Sequence, residues 1–174
     1  MRVLKTERLV LRRLTLEDDA FILELLNDPA WLRFIGDKGV RTLDDARRYI
    51  ASGPMDMYER LGFGLFLTER KGDGAPLGLC GLIKRDTLDD VDIGFAFLPQ
   101  FRANGYAHEA AAAVLELGRS TFGLQRIVAI TSPDNEDSSR LLVKLGMHFE
   151  KRMKLSADGK EVMLFAAEFP VVHS

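Results

Sequence analysis

Cysteine is almost absent from this sequence: Cys80 is the single one among 174 residues. A lone thiol excludes an internal disulfide framework, and its place in the apolar run of residues 79–83 indicates a buried side chain rather than a nucleophile. Long hydrophobic runs are also missing. The longest, residues 110–117, contains Glu116 and is far shorter than the roughly 20 residues that cross a bilayer. The first residues are too charged for an export signal, so we expect a cytoplasmic protein without a membrane partner.

A charge excess of either sign is absent as well. The chain has 24 basic and 26 acidic residues, interspersed, with a formal net charge of -2. No charge block favours binding to nucleic acid. The H-E-x-x-H pattern of zinc proteases starts at His108 and Glu109 but has Ala112 in its fifth position, so we expect no metal. Neither a P-loop nor a G-x-G-x-x-G dinucleotide motif occurs.

The residues that are present predict one domain over residues 1–174 with 47 % hydrophobic composition. Periodicity and turn residues predict strands at residues 8–14, 63–68, 77–83, 91–98, 125–131, 148–155 and 161–169, with hairpin turns at residues 71–74 and 86–90. They predict helices at residues 17–26, 46–51, 107–122 and 135–145. Capping boxes of Thr15 with Asp18 and of Thr42 with Asp45 start the first two helices, and Glu109 is expected on the outward face of the third. The predicted fold class is α/β (α+β): a mixed, mostly antiparallel central sheet flanked by about four helices, with parallel pairing around the two later helices.

The strand at residues 91–98 and the turn after it carry the main chemical signal. Alternate strand residues are bulky and apolar: Val91, Ile93, Phe95 and Phe97. The residues between them form a smaller face: Asp92, Gly94 and Ala96. The following turn opens a long helix, whose unpaired N–H groups attract an anion, and Gly105 lets the backbone approach it closely. Arg102 adds a charged donor. Taken alone, the turn is equally compatible with an ordinary surface glycine.

Residues 102–107 resemble the R-x-x-G-x-A pyrophosphate motif of the GNAT superfamily of acetyltransferases. Three segments in order are similar to its ribosomal-protein N-acetyltransferase (RimJ/RimL-like) branch: TERLVLRRLTLEDD, VDIGFAFLPQFRANGYAHEA and NEDSSRLLVKLGM. The resemblance spans residues 6 to about 155. It implies a GNAT-type domain that transfers an acetyl group from acetyl-CoA to a primary amine by direct attack in a ternary complex.

The resemblance also implies a coenzyme A site made of two backbone segments. The strand is expected to splay from its neighbour and to pair with the amides of pantetheine through Phe95, Ala96, Phe97 and Leu98. The turn is expected to hold the pyrophosphate: Arg102, Ala103, Asn104, Gly105, Tyr106 and Ala107. The thioester then lies back along the strand, towards Asp92.

Two side chains on the helix at residues 135–145 are candidates for the same site. Asparagine is a favoured N-cap residue, so Asn135 is expected to cap this helix, and the resemblance implies a contact with coenzyme A as well. Ser138 lies on the apolar face, where its hydroxyl either bonds back to a helix carbonyl or stabilises and protonates the departing thiolate. Many superfamily members have a tyrosine at the position matching Leu142, so Ser138 is the candidate acid here. A thiol of pKa about 8.5 leaves without much help.

Asp92 and Glu150 are the candidates for the base that deprotonates the amine, with a solvated strand-end carboxylate as the alternative for each. Trp31 and Phe34 are candidates for the lining of an acceptor cleft, or else core residues. The acceptor is a protein N-terminal α-amino group or a small-molecule amine. An acidic cleft built from the aspartates at residues 86–92 would favour polyamines or aminoglycosides.

A non-catalytic acyl-CoA-binding or sensing domain is the alternative function. It would keep the turn at residues 102–107, gain thermal stability from acetyl-CoA and release no thiol when offered amines. The expected oligomeric state is a monomer or a homodimer, since an exposed strand near the C-terminus can pair across a dimer.

Overall fold

The structure is a computed structural model that describes residues 2–170, and its strands form one mixed eight-stranded sheet. The strands are β1 Arg2–Lys5, β2 Leu9–Arg13, β3 Leu65–Arg70, β4 Pro76–Ile83, β5 Asp92–Phe97, β6 Arg126–Thr131, β7 His148–Lys154 and β8 Glu161–Glu168. The α-helices are α1 Asp19–Leu26, α2 Pro29–Phe34, α3 Leu43–Ile50, α4 Asp56–Leu61, α5 Tyr106–Ser120 and α6 Glu136–Lys144. The strand order is β1-β2-β3-β4-β5-β6-β8-β7.

The pairing of these strands confirms the predicted α/β class and the mixed, mostly antiparallel sheet. From β1 to β5 each strand pairs antiparallel with the next. Strands β5 and β6, which α5 connects, are parallel. The prediction of parallel pairing around α6 is wrong, because β8 inserts between β6 and β7 and pairs antiparallel with both. That a single domain covers all of residues 1–174 stays a prediction.

Local sequence signals account for most helix starts. Thr15 and Thr42 each form the predicted capping box with the aspartate three residues later. The sequence analysis missed β1, α2 and α4. A signal for α2 was present, because Asp28 caps its first turn and Pro29 occupies its first position. No helix of the chain between residues 2 and 170 has the length and hydrophobicity that a membrane span requires.

The sheet has a hydrophobic core on each face. One core packs α5 against the central strands through Ala110, Ala111 and Val114 of the helix and Phe66, Leu82 and Phe97 of the sheet. The other packs α1 and α3 against the opposite face, through Ile22, Leu25, Ala46 and Ile50 with Leu67 and Leu79. Both cores reach β5, since Phe97 belongs to the first and Ala96 packs on the second. The centre of the sheet is therefore held rigidly on both sides, next to the site described below.

Candidate functional site

The site begins where β5 separates from β6. The register between the two strands contains one pair, Asp92 with Val128, whose amide donates to the Val91 carbonyl at 3.0 Å. On its other side β5 pairs with β4 over its whole length, from Asp92 to Phe97. The predicted splay is therefore present, and it opens towards the C-terminal end of β5.

The backbone groups that face this opening belong to the odd-numbered residues of β5. The Leu98 amide donates to the Leu77 carbonyl at 2.9 Å, which points the even-numbered positions towards β4. Because neighbouring residues of a strand point their N–H and C=O groups in opposite directions, Phe95 and Phe97 point theirs towards the opening. The Phe97 carbonyl there accepts from Arg102 Nε at 3.1 Å and Nη2 at 2.9 Å.

The turn after β5 has an unusual backbone. Ala103 has φ 63° and is the single non-glycine residue with positive φ in the described chain. Gly105, with φ 80°, is the N-cap of α5. Two left-handed residues so close together leave successive N–H groups free to converge on an anion, in addition to the first amides of this fifteen-residue helix. Such a backbone is what the predicted pyrophosphate site requires, and binding of an anion here stays a prediction.

Arg102 makes contacts within the protein that the sequence did not predict. Its Nη2 donates to the Asp28 carboxylate at 2.9 Å as well as to Phe97. The guanidinium therefore ties the turn to β5 and to the start of α2. We infer that the backbone of the turn, rather than this side chain, is the main anion-binding group.

A cleft of about 830 Å³ joins the β5 opening to the turn. Its lining contains most of the residues predicted for coenzyme A: Phe95, Ala96, Phe97, Arg102, Ala103, Gly105, Tyr106, Ala107 and Asn135. Leu98 and Asn104 do not line it. Leu98 is buried in the core on the α1 and α3 face, and Asn104 is exposed with its carbonyl oxygen bonded to Arg8. We call this space the large cleft.

A second space of about 380 Å³ adjoins the large cleft, and Trp31, Phe34, Phe95 and Ser138 line both. The small face of β5 contributes Asp92, Gly94 and Ala96. The remaining walls are mostly apolar and include Ile35, Met57, Leu65, Ile83, Leu155 and Val162. We call this space the small cavity. Trp31 and Phe34 thus lie where an acceptor cleft was expected.

Asp92 is the one carboxylate that lines the small cavity among residues 2–170. It is 1 % exposed and receives Arg85 Nε at 3.3 Å and 3.4 Å on its two oxygens. The interpretation as a solvated strand-end residue is therefore wrong. Burial raises the pKa of this carboxyl above its ordinary value, while the charge of Arg85 opposes the shift. A buried carboxylate with a raised pKa is suited to accept a proton from a bound ammonium group.

Ser138 and Asn135 lie together at the start of α6. The Asn135 side chain accepts the Ser138 amide at 3.3 Å, so the predicted cap is present. The Ser138 hydroxyl makes no hydrogen bond with any residue between 2 and 170, and the residue lines both spaces. The alternative of a back-bond to a helix carbonyl is not what the structure has. Leu142, one turn further on, is buried at 1 % exposure.

Glu150 does not belong to this site. It lies on β7, and its carboxylate binds Arg126 at 2.6 Å and 2.7 Å. That guanidinium lowers the pKa of Glu150, which makes the carboxylate a poorer base. Glu150, His148 and Glu168 bring potential metal-ligand atoms within 4.8 Å of one another, and Arg126 binds the carboxylates of both glutamates.

Two residues of the small cavity were missed by the sequence analysis. Arg85 follows β4, across the hairpin from Asp92, and the Ile83 to Asp92 register explains their contact. Tyr49 on α3 also lines the cavity, and burial raises its pKa to about 12, which keeps the phenol neutral. The hairpin predicted at residues 86–90 brings Arg85 close to Asp92, so the sequence contained a signal for their contact. The contact of α3 with this cavity depends on tertiary packing, for which the sequence contains no local signal.

Comparisons with known proteins agree with this geometry. Residues 8–148 match the family model described as the acetyltransferase (GNAT) domain. The chain is 31 % identical over 145 residues to the uncharacterized N-acetyltransferase YnaD of Bacillus subtilis, covering 83 % of this chain and 82 % of that protein.

Solved structures give the same result for the fold. A GNAT-family acetyltransferase from Bacillus anthracis superposes with a TM-score of 0.79 at 27 % identity, covering 97 % of this chain and 98 % of that one. RimL, a ribosomal L7/L12 alpha-N-protein acetyltransferase solved in complex with coenzyme A, has a TM-score of 0.82 at 17 % identity, with coverages of 97 % and 98 %. At 17 % identity this second likeness shows a shared fold.

Proposed function

The chain belongs to the GNAT acetyltransferase family and is an acetyl-CoA-dependent N-acetyltransferase, and we propose that its two adjoining spaces hold the two reactants of one direct transfer step. Acetyl-CoA occupies the large cleft and a primary amine enters through the small cavity. One observation carries the proposal: the open edge of β5 and the left-handed turn before α5 line the same cleft.

The donor is held mainly by backbone groups. The pyrophosphate binds the N–H groups of residues 103–107, and the pantetheine amides pair with the open edge of β5 at Phe95 and Phe97. Asn135 lines the same cleft and contacts the pantetheine arm. This arrangement places the thioester near Ser138, where the large cleft and the small cavity meet.

The reaction is attack of the neutral amine on the thioester carbonyl. The amine nitrogen forms a bond to the carbonyl carbon, and the carbon–sulfur bond then breaks and releases the thiolate, which takes up the second proton that the nitrogen loses as the amide forms. The Asp92 carboxylate takes the proton of the bound ammonium, directly or through water, and a backbone N–H of β5 polarises the carbonyl oxygen. The Ser138 hydroxyl donates to the thiolate, which is a stable leaving group because a thiol has a pKa of about 8.5.

The small cavity narrows the class of acceptor. Of the aspartates at residues 86–92 that would have made an acidic cleft, Asp92 alone lines it; its carboxylate is paired with Arg85, and Lys38 adds a second positive charge to the lining. A polyamine or an aminoglycoside brings several positive charges and gains little there. We propose an acceptor with one primary amine on a largely apolar group, either a protein N-terminal α-amino group or a small molecule.

Two predictions about the protein in the cell accompany this function. We keep the expected cytoplasmic location. We also keep the expected monomer or homodimer, because β7 is an edge strand of the sheet and leaves one row of backbone groups for pairing.

The test is free-thiol release from acetyl-CoA in the presence of N-terminal peptides, apolar amines, amino acids, polyamines and aminoglycosides. We expect turnover with one of the first three classes, together with an acetylated amine in the product by mass spectrometry. Thiol release that is equal with and without every amine would contradict a transfer to nitrogen.

A further inference from the structure

We propose that Arg8 and Glu109 are positioning residues for coenzyme A, which hold one peptide group of the turn in the orientation that binds the pyrophosphate. This inference rests on the proposed binding of coenzyme A at residues 103–107. Neither side chain lines the large cleft, so both act through the backbone of the turn.

Glu109 lies on the first turn of α5 and was expected to face solvent. Its side chain is instead 19 % exposed and forms an ion pair with Arg8 Nε at 2.7 Å. The second carboxylate oxygen accepts the Arg8 backbone amide at 2.8 Å and the Thr6 hydroxyl. Hydrogen bonds from Thr6 and Arg8 outweigh partial burial and lower the pKa of Glu109, so it is charged at neutral pH.

Arg8 passes this constraint on to the turn. Its Nη1 donates to the Asn104 carbonyl at 3.0 Å, and its guanidinium lies 4.4 Å from the centre of the Tyr106 ring. Its Nη2 lies 3.3 Å from the position that a Cβ on Gly105 would take. The guanidinium therefore contacts Asn104 and Tyr106 and lies beside Gly105, although Arg8 is 96 positions from Asn104 in sequence.

Because a peptide bond is planar and trans, the contact of Arg8 with the Asn104 carbonyl fixes the orientation of the whole peptide group. The carbonyl of Asn104 and the N–H of Gly105 belong to one peptide group and point in opposite directions. When Arg8 holds the carbonyl, the Gly105 N–H must point away from Arg8. Gly105 lines the large cleft and Arg8 does not, so the side of the turn opposite Arg8 is the one where the pyrophosphate is proposed to bind.

A second feature shows why the turn needs such support. Ala103 is in the left-handed region, which is unfavourable for a residue with a Cβ. A turn with this strain relaxes unless contacts on both sides hold it. Arg102 holds one side through Phe97 and Asp28, and Arg8 holds the other through Asn104.

The test is the dissociation constant of coenzyme A, measured by calorimetry on the full chain, for the Glu109→Gln variant. A purely electrostatic effect of Glu109 and a positioning effect predict changes of opposite sign in this dissociation constant. Removing a negative charge near an anion site strengthens binding if only charge matters. If Glu109 positions Arg8, its loss weakens binding, and we expect about a tenfold increase in the dissociation constant.

Glu116→Gln is the matched control. Glu116 lies on the same helix, is fully solvated on its outer face and pairs with Arg119. We expect its dissociation constant to stay at the wild-type value. Arg8→Lys is a second test without a change of net charge, because a lysine ammonium cannot bind Glu109 and the Asn104 carbonyl in the geometry of a guanidinium. We expect it to weaken binding as well.

Kinetics separate positioning from a general loss of structure. For Glu109→Gln we expect a higher KM for acetyl-CoA with kcat changed by less than about twofold, since the turn is remote from the thioester. Coenzyme A binding to Glu109→Gln and Arg8→Lys as tight as to the wild type would overturn the inference and leave the proposed function intact. No binding of coenzyme A to the wild type would overturn the proposed function itself.

Discussion

Asp92 is an ionisable residue at a position where burial raises its pKa and so opposes the charged form. It is 1 % exposed, and Arg85 offsets part of the cost of removing its carboxylate from water. An enzyme gains from such an arrangement when the carboxylate must take up a proton during the reaction. The same arrangement reduces the stability of the resting protein, so the two effects should separate on mutation.

We expect Asp92→Asn to lower kcat/KM about 100-fold, because the bound ammonium loses its proton acceptor. The same variant should melt at a higher temperature at neutral pH. In the wild type the pKa of the Asp92 carboxyl is raised in the folded state, so the folded protein binds a proton more readily than the unfolded chain. The charged carboxylate therefore opposes folding when the pH is above the raised pKa. The difference in melting temperature between the variant and the wild type should disappear as the pH falls below the ordinary pKa of an aspartate.

Asp90→Asn is the control for this pair of measurements. Asp90 binds Arg126 at 3.0 Å and does not line the small cavity. We expect its turnover to match the wild type. A loss of activity as large as that of Asp92→Asn would argue against a special role for Asp92.

Ser138→Ala tests the hydroxyl at the junction of the two spaces. We expect a loss of about tenfold in kcat with little change in the KM for acetyl-CoA, because the thiolate is a good leaving group and needs only one hydrogen bond. The neighbouring Ser139→Ala is the control, since the Ser139 hydroxyl is buried, has no hydrogen-bond partner within the described part of the chain and lines neither space. Equal rates for the two variants would remove Ser138 from the mechanism.

The element to which each site residue belongs was predicted better than the surroundings of its side chain. Ser138 was expected on an inward face and lies there, whereas Asp92 was weighed as solvated and Glu109 as outward. The environment of each carboxylate depends on an arginine from another element: Arg85 for Asp92, and Arg8 for Glu109. Such partners are set by tertiary packing, which local periodicity does not contain.

At the scale of elements, the turn between β5 and α5 depends on a left-handed glycine. We expect Gly105→Glu to abolish coenzyme A binding, because it combines strain at φ 80° with a carboxylate in an anion site. Calorimetry measures the binding of coenzyme A to this variant. Gly72→Glu is the control, since Gly72 also has positive φ, 95°, and has open space around it in the β3–β4 hairpin. Binding to Gly105→Glu at the wild-type strength would place coenzyme A elsewhere.

The cap of α6 gives a prediction for stability. We expect Asn135→Ala to lower the free energy of unfolding by about 1 kcal/mol, because the Ser138 amide loses its side-chain acceptor. Chemical denaturation measures this loss. Asn135→Asp should retain most of the stability, because an aspartate also caps a helix, and a loss as large as that of the alanine variant would contradict the capping role.

Elements with local start signals were the predictable part of the fold. The capping boxes at Thr15 and Thr42 located two helices, and the hairpin turn at residues 71–74 located β3 and β4. The insertion of β8 between β6 and β7 was not predicted, because nothing within either strand encodes which neighbour it selects. The splay of β5 from β6 came from the family resemblance rather than from the strand pattern.

At the scale of the whole molecule, the charges around the small cavity predict the response to polycations. Because Lys38 and Arg85 both line the small cavity and Asp92 is paired with Arg85, we expect spermidine and aminoglycosides to be acetylated at least about tenfold more slowly than an apolar primary amine at equal concentration. Thiol release measures both rates. A preference for polycations that weakens as salt is added would contradict this account of the cavity.

The central claim is that acetyl-CoA lies along the open edge of β5 with its pyrophosphate on the turn before α5. Amide hydrogen exchange with and without acetyl-CoA tests it most directly, because the proposed contacts are backbone N–H groups. We predict slower exchange at Phe95, Phe97, Gly105, Tyr106 and Ala107 on binding, and no change in the hairpin at residues 71–74. Protection confined to other parts of the chain, with these five amides unaffected, would contradict the account.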